Sequence, residues 1–145
     1  ELAPAGEPAF KPYEGEPLFA LYEAAFSRLP DYVPRTEAAW TQRHLHAHNL
    51  DPLTSRVAPG QGFALVRRWE DDVAYVELLA VHPDHAGRGL GSALLTAVFA
   101  AAARHGYRRS VLNVASDNPD ALRLYERVGM VERWRIDDYH KPLPD

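Results

Sequence analysis

Three glycines, Gly87, Gly89 and Gly91, alternate with other residues in a segment that joins an apolar run to a long helix-forming run. Glycines at such a junction let backbone N–H groups approach a ligand without obstruction by side chains. The start of the following helix adds the positive end of its dipole, so residues 87–92, which we call the glycine loop, are suited to phosphate. A tight turn with a purely structural role is the alternative, and the glycine spacing favours phosphate binding.

Two well-known nucleotide-binding patterns do not fit the glycine loop. A P-loop has a lysine after its last glycine, and here Ser92 follows Gly91. A dinucleotide-binding turn follows its strand directly and has an acidic residue about 20 positions further on. Here the strand is predicted to end earlier, at Val81, and residues 111–113 read Val-Leu-Asn. A nucleotide-binding domain of either type is therefore excluded.

The apolar run before the glycine loop contains a candidate general base. Val73–Val81 reads VAYVELLAV and is predicted as a central strand, with Glu77 its only ionisable group apart from Tyr75. Strand alternation predicts that Glu77 shares a face with Leu79 and Val81, where an isolated carboxylate would have a raised pKa, as a base near neutral pH requires. The alternative is a glutamate at the flank of a sheet paired with an arginine, and the sequence does not decide between the two.

Three histidines, His44, His46 and His48, form a second cluster of side chains that could do chemistry. Helical spacing would bring His44 and His48 to one face, with Asp51 close by. The segment has no HExxH pattern and Pro52 follows it, so a solvated polar face is predicted here and no metal site.

The composition limits the classes of protein to which the chain can belong. Its 145 residues carry 16 Lys and Arg against 20 Asp and Glu, a formal net charge of −4 that argues against nucleic-acid binding. The absence of cysteine excludes disulfide scaffolds, thiolate metal sites and cysteine nucleophiles. The longest uncharged run, residues 89–103, is shorter than the roughly 20 residues of a membrane span. We therefore predict a soluble, cytoplasmic protein with no membrane partner.

The elements that must position these residues follow from hydrophobic periodicity and turn signals. The predicted helices are residues 18–26, 36–47, 89–105 and 118–128. The predicted strands are residues 55–58, 63–68, 73–81, 110–114, 130–136 and 139–141. Residues 1–17, rich in proline, are predicted as a linker or short edge strand, and residues 18–145 as one α/β (α+β) domain.

Two stretches, ELLAVHPDHAGRGLGSALL and NVASDNPDALRLYERVGM, resemble the GNAT superfamily of acetyl-CoA-dependent N-acetyltransferases. The family's loop motif has Gln or Arg, then Gly three positions later and Gly or Ala two further on. The matching positions are Ala86, which departs from the motif, Gly89 and Gly91. The resemblance implies that acetyl-CoA is the co-substrate, without a metal. Its pyrophosphate would be held by Gly87, Arg88, Gly89, Leu90, Gly91 and Ser92.

The resemblance also carries over to single residues outside the loop. Leu79, Ala80 and Val81 match the strand segment whose backbone pairs with the pantetheine arm and directs an N–H at the thioester carbonyl. Asn118 matches a cofactor-contacting asparagine at a helix start, and Tyr125 matches a tyrosine beside the sulfur of coenzyme A. A phenol with a pKa of about 10 can protonate the leaving thiolate, with a packed core aromatic as the alternative.

The fold implied by the resemblance is a mixed, largely antiparallel sheet, splayed at its central strands, with helices on both faces. Residues 18–58 would form the acceptor side and residues 63–141 the acetyl-CoA-binding core. The implied function is acetyl transfer to an amine of a small molecule or peptide by direct attack, with Glu77 or water deprotonating the amine. The competing hypothesis is a non-catalytic coenzyme A-binding module of a larger protein.

The whole chain further resembles the C-terminal half of tandem acetyltransferases of the mycothiol synthase type. This implies that the chain is a piece of a longer protein. Its expected partners are an amine acceptor and either an N-terminal companion domain or a second copy of the chain.

Overall fold

A computed structural model of the chain describes residues 10–112 together with Arg123 and Glu126. The helical elements in this part are α1 (Phe19–Phe26), α2 (Glu37–Trp40), a π-helix (Thr41–Leu45), a 3₁₀ turn (Pro83–His85) and α3 (Leu90–Arg104). The strands are β1 (Arg56–Ala58), β2 (Gly62–Glu70), β3 (Val73–Val81) and β4 (Arg109–Leu112). None of the helices in these described ranges is long and apolar enough to cross a membrane.

The four strands form one sheet in the order β1-β2-β3-β4. The first two pairings are antiparallel and the pairing of β3 with β4 is parallel, so the predicted mixed, largely antiparallel sheet is confirmed. The register of β4 on β3 runs only from Val73 to Val76. Within the described part of the chain, residues 77–81 of β3 therefore have a strand on their β2 side alone.

One face of the sheet is covered by α3. The apolar stripe of this helix is buried and consists of Leu90, Leu94, Val98 and Ala101. A Cβ at Gly62 would lie 2.6 Å from the carbonyl oxygen of Ala80 and close to the side chains of Leu90 and Leu94. Only glycine fits at this position of β2, because the neighbouring strand and α3 both approach it closely.

The opposite face is covered by the early helices, around the fully buried ring of Trp40. This ring lies 5.0 Å from the ring of Tyr22 in α1 and 6.4 Å from that of Phe63 in β2, centroid to centroid. Thr36 caps α2 by accepting a hydrogen bond from the N–H of Ala39, as the sequence signal at this residue predicts. Helices on both faces of the sheet are therefore confirmed.

The predicted boundaries agree with the structure most closely in the middle of the chain. Val73–Val81 is a strand as predicted, and α3 differs from its prediction by one residue at each end. The second helix ends at Leu45 as a π-helix because the N–H of His46 bonds to the carbonyl of Thr41, five residues back. Of the predicted helix at 118–128 the structure describes Arg123 and Glu126, and both are helical. The last two predicted strands lie outside the described residues.

A β-bulge interrupts the pairing of β2 with β3. Leu65 pairs with Leu78 and Val66 with Val76, so Glu77 is an extra residue on its strand. Beyond the bulge, Leu79 packs on the α3 face and Leu78 on the Trp40 face. The prediction that Glu77 shares a face with Leu79 and Val81 is wrong, because the extra residue shifts the alternation of side chains along β3.

Candidate active site

The glycine loop lies between the 3₁₀ turn and α3, with an open outer surface. Gly87 and Gly89 have φ angles of 78° and 81°, a left-handed conformation that other residues rarely adopt. A Cβ built on either glycine would meet no atom within 4 Å. The loop therefore presents exposed main chain, as its proposed role requires.

The first turn of α3 offers unpaired polar groups to this surface. Its first intrahelical bond runs from the N–H of Ala93 to the carbonyl of Gly89, so the N–H groups just before Ala93 have no acceptor within the helix. The hydroxyl of Ser92 is buried and, within the described residues, has no hydrogen-bond partner. N–H groups without an acceptor at a helix start fit an anionic ligand such as a phosphate group.

The structure brings most of the predicted acetyl-CoA-binding residues into one continuous segment. The exposed loop residues are Gly87, Arg88 and Gly89, and the start of α3 contains Leu90, Gly91 and Ser92. The side chain of Leu90 is buried in the core, so only its backbone is available to a ligand. Leu79, Ala80 and Val81 lie at the end of β3, beyond the part that pairs with the described residues of β4. Asn118 and Tyr125 lie outside the described residues.

Glu77 is not an isolated carboxylate. Its Oε2 accepts a hydrogen bond from Nδ1 of His44 at 2.6 Å, and Arg67 donates from Nε to Oε1 at 2.8 Å and from Nη2 to Oε2 at 3.0 Å. Burial alone would raise the pKa of Glu77, but the hydrogen bonds and charges of His44 and Arg67 hold that pKa below its usual range. The prediction of a raised pKa is therefore wrong, and the arginine-paired alternative is the one that the structure shows.

The histidine cluster divides into two environments. His46 and His48 are exposed, as predicted for a solvated polar face. That prediction is wrong for His44, whose side chain is only 10% exposed, because it lies four positions after the buried Trp40 and therefore on the same helix face. Its ring lies 5.1 Å from the ring of Trp40 and 6.4 Å from that of Tyr22. Within the described residues, no group of three or more His, Cys, Asp or Glu side chains could hold a metal ion.

Arg67 is fixed in place by further contacts. Its Nη2 donates to the carbonyl oxygen of Arg43 at 3.1 Å, and its Nη1 donates to Oδ1 of Asn49 at 3.3 Å. We call His44, Glu77 and Arg67 the His-Glu-Arg cluster. Neither His44 nor Arg67 was predicted from the sequence to belong to the site. The one available signal was the need of a buried strand carboxylate for a cationic partner, which does not identify that partner.

Comparison with known families gives a match that covers most of the chain. Residues 16–130 match the model of the Acetyltransferase (GNAT) family. Mycothiol acetyltransferase of Clavibacter michiganensis subsp. michiganensis is 48% identical over 124 residues, which are 82% of this chain and 40% of that protein. The matched curated relatives are each covered over 25–40% of their length, so the chain spans well under half of them.

Solved structures give the same fold. Ribosomal-protein-S18-alanine N-acetyltransferase from Escherichia coli superposes with a TM-score of 0.65 at 25% identity, covering 83% of this chain and 76% of that one. An aminoglycoside N-acetyltransferase in complex with CoA superposes with a TM-score of 0.66 at 22% identity, covering 98% of this chain and all of that one. At this identity the second similarity concerns the fold alone.

Proposed function

The chain belongs to the GNAT acetyltransferase family, and from this premise we propose that it transfers an acetyl group from acetyl-CoA to an amine of a small molecule or peptide. The amine attacks the thioester directly, and the chain has no cysteine that could form an acyl-enzyme. The observation that carries the proposal is the open glycine loop with the unpaired Ser92 hydroxyl at the start of α3.

In this proposal, main-chain groups of the chain hold the co-substrate. The N–H groups of residues 87–92 bind its pyrophosphate, the Ser92 hydroxyl donates to a phosphate oxygen, and exposed Arg88 adds a positive charge. The backbone of Leu79, Ala80 and Val81 binds the pantetheine arm along the end of β3. Acetyl-CoA supplies the activated acetyl thioester. An N–H of this strand segment stabilises the negative charge that develops on the carbonyl oxygen.

The remaining assignments rest on the sequence resemblance. We assign Asn118 to co-substrate binding and Tyr125 to protonation of the leaving thiolate. A tyrosine hydroxyl remains protonated at neutral pH, so it has the proton that this step needs. Tyr125 lies seven positions after Asn118, about two helical turns if the helix predicted there forms.

We also propose which segments of the chain serve the acceptor and which bind acetyl-CoA. Residues 1–17 act as a linker or edge strand, and the single bridge of Lys11 to Val57 supports a contact of this segment with β1. Residues 18–145 form one domain, in which residues 18–58 serve the acceptor and residues 63–141 bind acetyl-CoA. The partial coverage of the relatives supports a companion domain, and their printed name supports testing mycothiol precursors as acceptors.

The test combines binding and turnover. Acetyl-CoA should raise the melting temperature, with a gain of about 2.7 kcal/mol in the free energy of unfolding at 100 times Kd, whereas NADH and ATP should give far less. Release of coenzyme A should then be measured with four classes of acceptor: simple amines, aminoglycosides, peptide N-termini and mycothiol precursors. Binding of NAD without binding of coenzyme A would overturn the proposal. Tight acetyl-CoA binding without turnover on any acceptor would favour the non-catalytic alternative.

A further inference from the structure

We propose that His44 is the base that takes the proton from the acceptor amine, and that Glu77 is a positioning residue that orients its ring. This inference rests on the proposed function, because it needs an amine to be acetylated. It reassigns the role that the sequence suggested for Glu77. His44 and Glu77 are 33 positions apart, and no sequence motif joins them.

The contact between the two residues determines which ring nitrogen is free. The Glu77 carboxylate, paired with Arg67, only accepts hydrogen bonds, so Nδ1 of His44 must carry the proton that it donates to Oε2. In the neutral ring the lone pair then lies on Nε2. Within the described residues Nε2 has no hydrogen-bond partner, and the side chain keeps 10% of its surface exposed. This nitrogen is therefore available to accept a proton.

The cluster also lies where the reaction must take place. Glu77 is at the β-bulge, directly after Val76, which pairs with the last described residue of β4, Leu112. Residues 78–81 follow at the end of β3, and the proposed function places the acetyl thioester along them. A base held by Glu77 on the acceptor side of the sheet is thus next to the point at which an amine would attack.

Two local irregularities converge on this contact. His44 lies on a π-helix, which is rare and occurs frequently at functional sites. Glu77 lies at a β-bulge, a feature that is over-represented next to active sites. A structural ion pair needs neither distortion, because regular elements bring arginine and glutamate together across a sheet. Their coincidence at one hydrogen bond supports a functional role for the pair.

The groups that face His44 permit a reversible proton transfer. Arg67 from β2 already neutralises Glu77 from β3, and Tyr75 lies within electrostatic reach of both. The other neighbours are the rings of Tyr22 from α1 and Trp40 from α2. Glu23, the charged residue of α1, accepts a hydrogen bond from the hydroxyl of Tyr32. Within the described residues, the imidazolium therefore keeps its hydrogen bond to Glu77 and meets no second carboxylate.

The step balances as follows. One proton passes from the acceptor ammonium to Nε2, and the neutral amine forms the N–C bond as the C–S bond breaks. The second proton lost by the nitrogen balances the proton gained by the thiolate, and Nε2 returns its proton to solvent. The net reaction converts an ammonium and a thioester into an amide, a thiol and one proton.

The decisive variant is His44→Asn, whose amide can still donate to Glu77 but has no titratable nitrogen. We expect its kcat to fall by about 10²–10⁴-fold. Its acetyl-CoA dissociation constant and melting temperature should stay near those of the parent. The acid limb of kcat/KM that reports protonation of this base should disappear. The probe is the amine that the parent acetylates fastest among the four acceptor classes above. The matched control is His46→Asn, because His46 is exposed and bonds only to Gln42 in the described structure.

A second measurement does not depend on turnover. Nitrogen NMR of the parent, with the His44 signals assigned by difference from His44→Asn, should show that the neutral His44 ring carries its proton on Nδ1. The Glu77→Gln variant should weaken this preference for Nδ1. In the double variant, kcat should fall no further than in His44→Asn alone, as for residues that act as a unit. Full activity of a folded His44→Asn variant, or a proton on Nε2 of the neutral ring, would overturn the proposal while leaving the proposed function intact. Absence of any turnover by the parent would overturn both.

Discussion

The glycine loop and the His-Glu-Arg cluster lie on either side of residues 78–81 and differ in which atoms carry their chemistry. In the proposals above, the loop would act through main-chain groups within six consecutive positions, whereas the cluster would act through three largely buried side chains from the π-helix, β2 and β3. Main-chain binding tolerates most changes of side chain but no bulk at the glycines. Side-chain chemistry depends on identity and orientation. A binding function and a proton-transfer function should therefore respond to different substitutions.

The largest expected effect concerns Tyr125, the proton donor assigned from sequence alone. Tyr125→Phe keeps the ring and removes the proton, so kcat should fall by about 10²–10⁴-fold, or roughly 3–5 kcal/mol of transition-state stabilisation. The acetyl-CoA dissociation constant should barely change. Measuring kcat and the melting temperature together separates this from a core aromatic. A fully active but less stable variant would contradict the assignment.

The second prediction tests whether the cluster depends on charge. Glu77→Gln should lower the free energy of unfolding at pH 7 by about 2 kcal/mol, because hydrogen bonds from His44 and Arg67 lose their ionised acceptor. The pKa of Glu77 is lowered in the folded state, so its contribution is present above the unfolded value of about 4.3 and is lost as pH falls through the folded value.

Urea unfolding of parent and Glu77→Gln between pH 3 and 8 measures this difference. The two stabilities should differ by a constant amount near neutral pH and should converge in acid. A difference that is independent of pH throughout would show that the ionised carboxylate does not stabilise the fold.

The third prediction concerns bulk at the loop. Gly91→Val should weaken acetyl-CoA binding by about tenfold or more, or at least about 1.4 kcal/mol, because a side chain would obstruct approach to the main chain. Gly91 is in the first turn of α3, so the fold should tolerate valine. Calorimetric titration measures the affinity, with Thr96→Val, at an exposed position of the same helix, as control. Equal affinity for parent and Gly91→Val would refute this placement of the pyrophosphate.

The smallest expected effect is that of Ser92, where removal of the hydroxyl should not lower the stability but should lower the affinity for acetyl-CoA. Ser92→Ala removes a buried hydroxyl without a partner, so the melting temperature without ligand should stay constant or rise. Acetyl-CoA affinity should fall several-fold, by about 1 kcal/mol, the usual net value of one hydrogen bond.

Ser110 in β4 provides the matched control, because its hydroxyl is also buried and has no partner in the described part of the chain. Ser110→Ala should have the same effect on stability and none on affinity. If both variants bind acetyl-CoA as the parent does, the Ser92 hydroxyl has no role in the loop.

The difference between a local main-chain segment and a cluster of distant side chains also explains which parts of the site could be predicted from the sequence. The glycine loop, β3 and α3 depend on local patterns: glycine spacing, a continuous apolar run and helical periodicity. The partners of Glu77 depend on tertiary contacts between distant positions. His44 lies four positions after Trp40, a spacing that places both side chains on one buried helix face once Trp40 is known to be buried. The bulge at Glu77 leaves no composition signal. The predictions of a raised pKa for Glu77 and of a solvated His44 are both wrong because each depends on the contact between these two residues.

The two irregular turns have a consequence for how the chain could have changed in evolution. A π-turn closes over one residue more than an α-turn, and a bulge adds one residue to a strand. Each is what a single-codon insertion would produce. Deleting one residue near Glu77 would transpose the faces of the later side chains in its strand. Deleting one residue near His44 would turn the later side chains of its helix by about 100°. In this part of the chain, length should therefore be more constrained than residue identity, and relatives that lack either insertion should lack the pairing of His44 with Glu77.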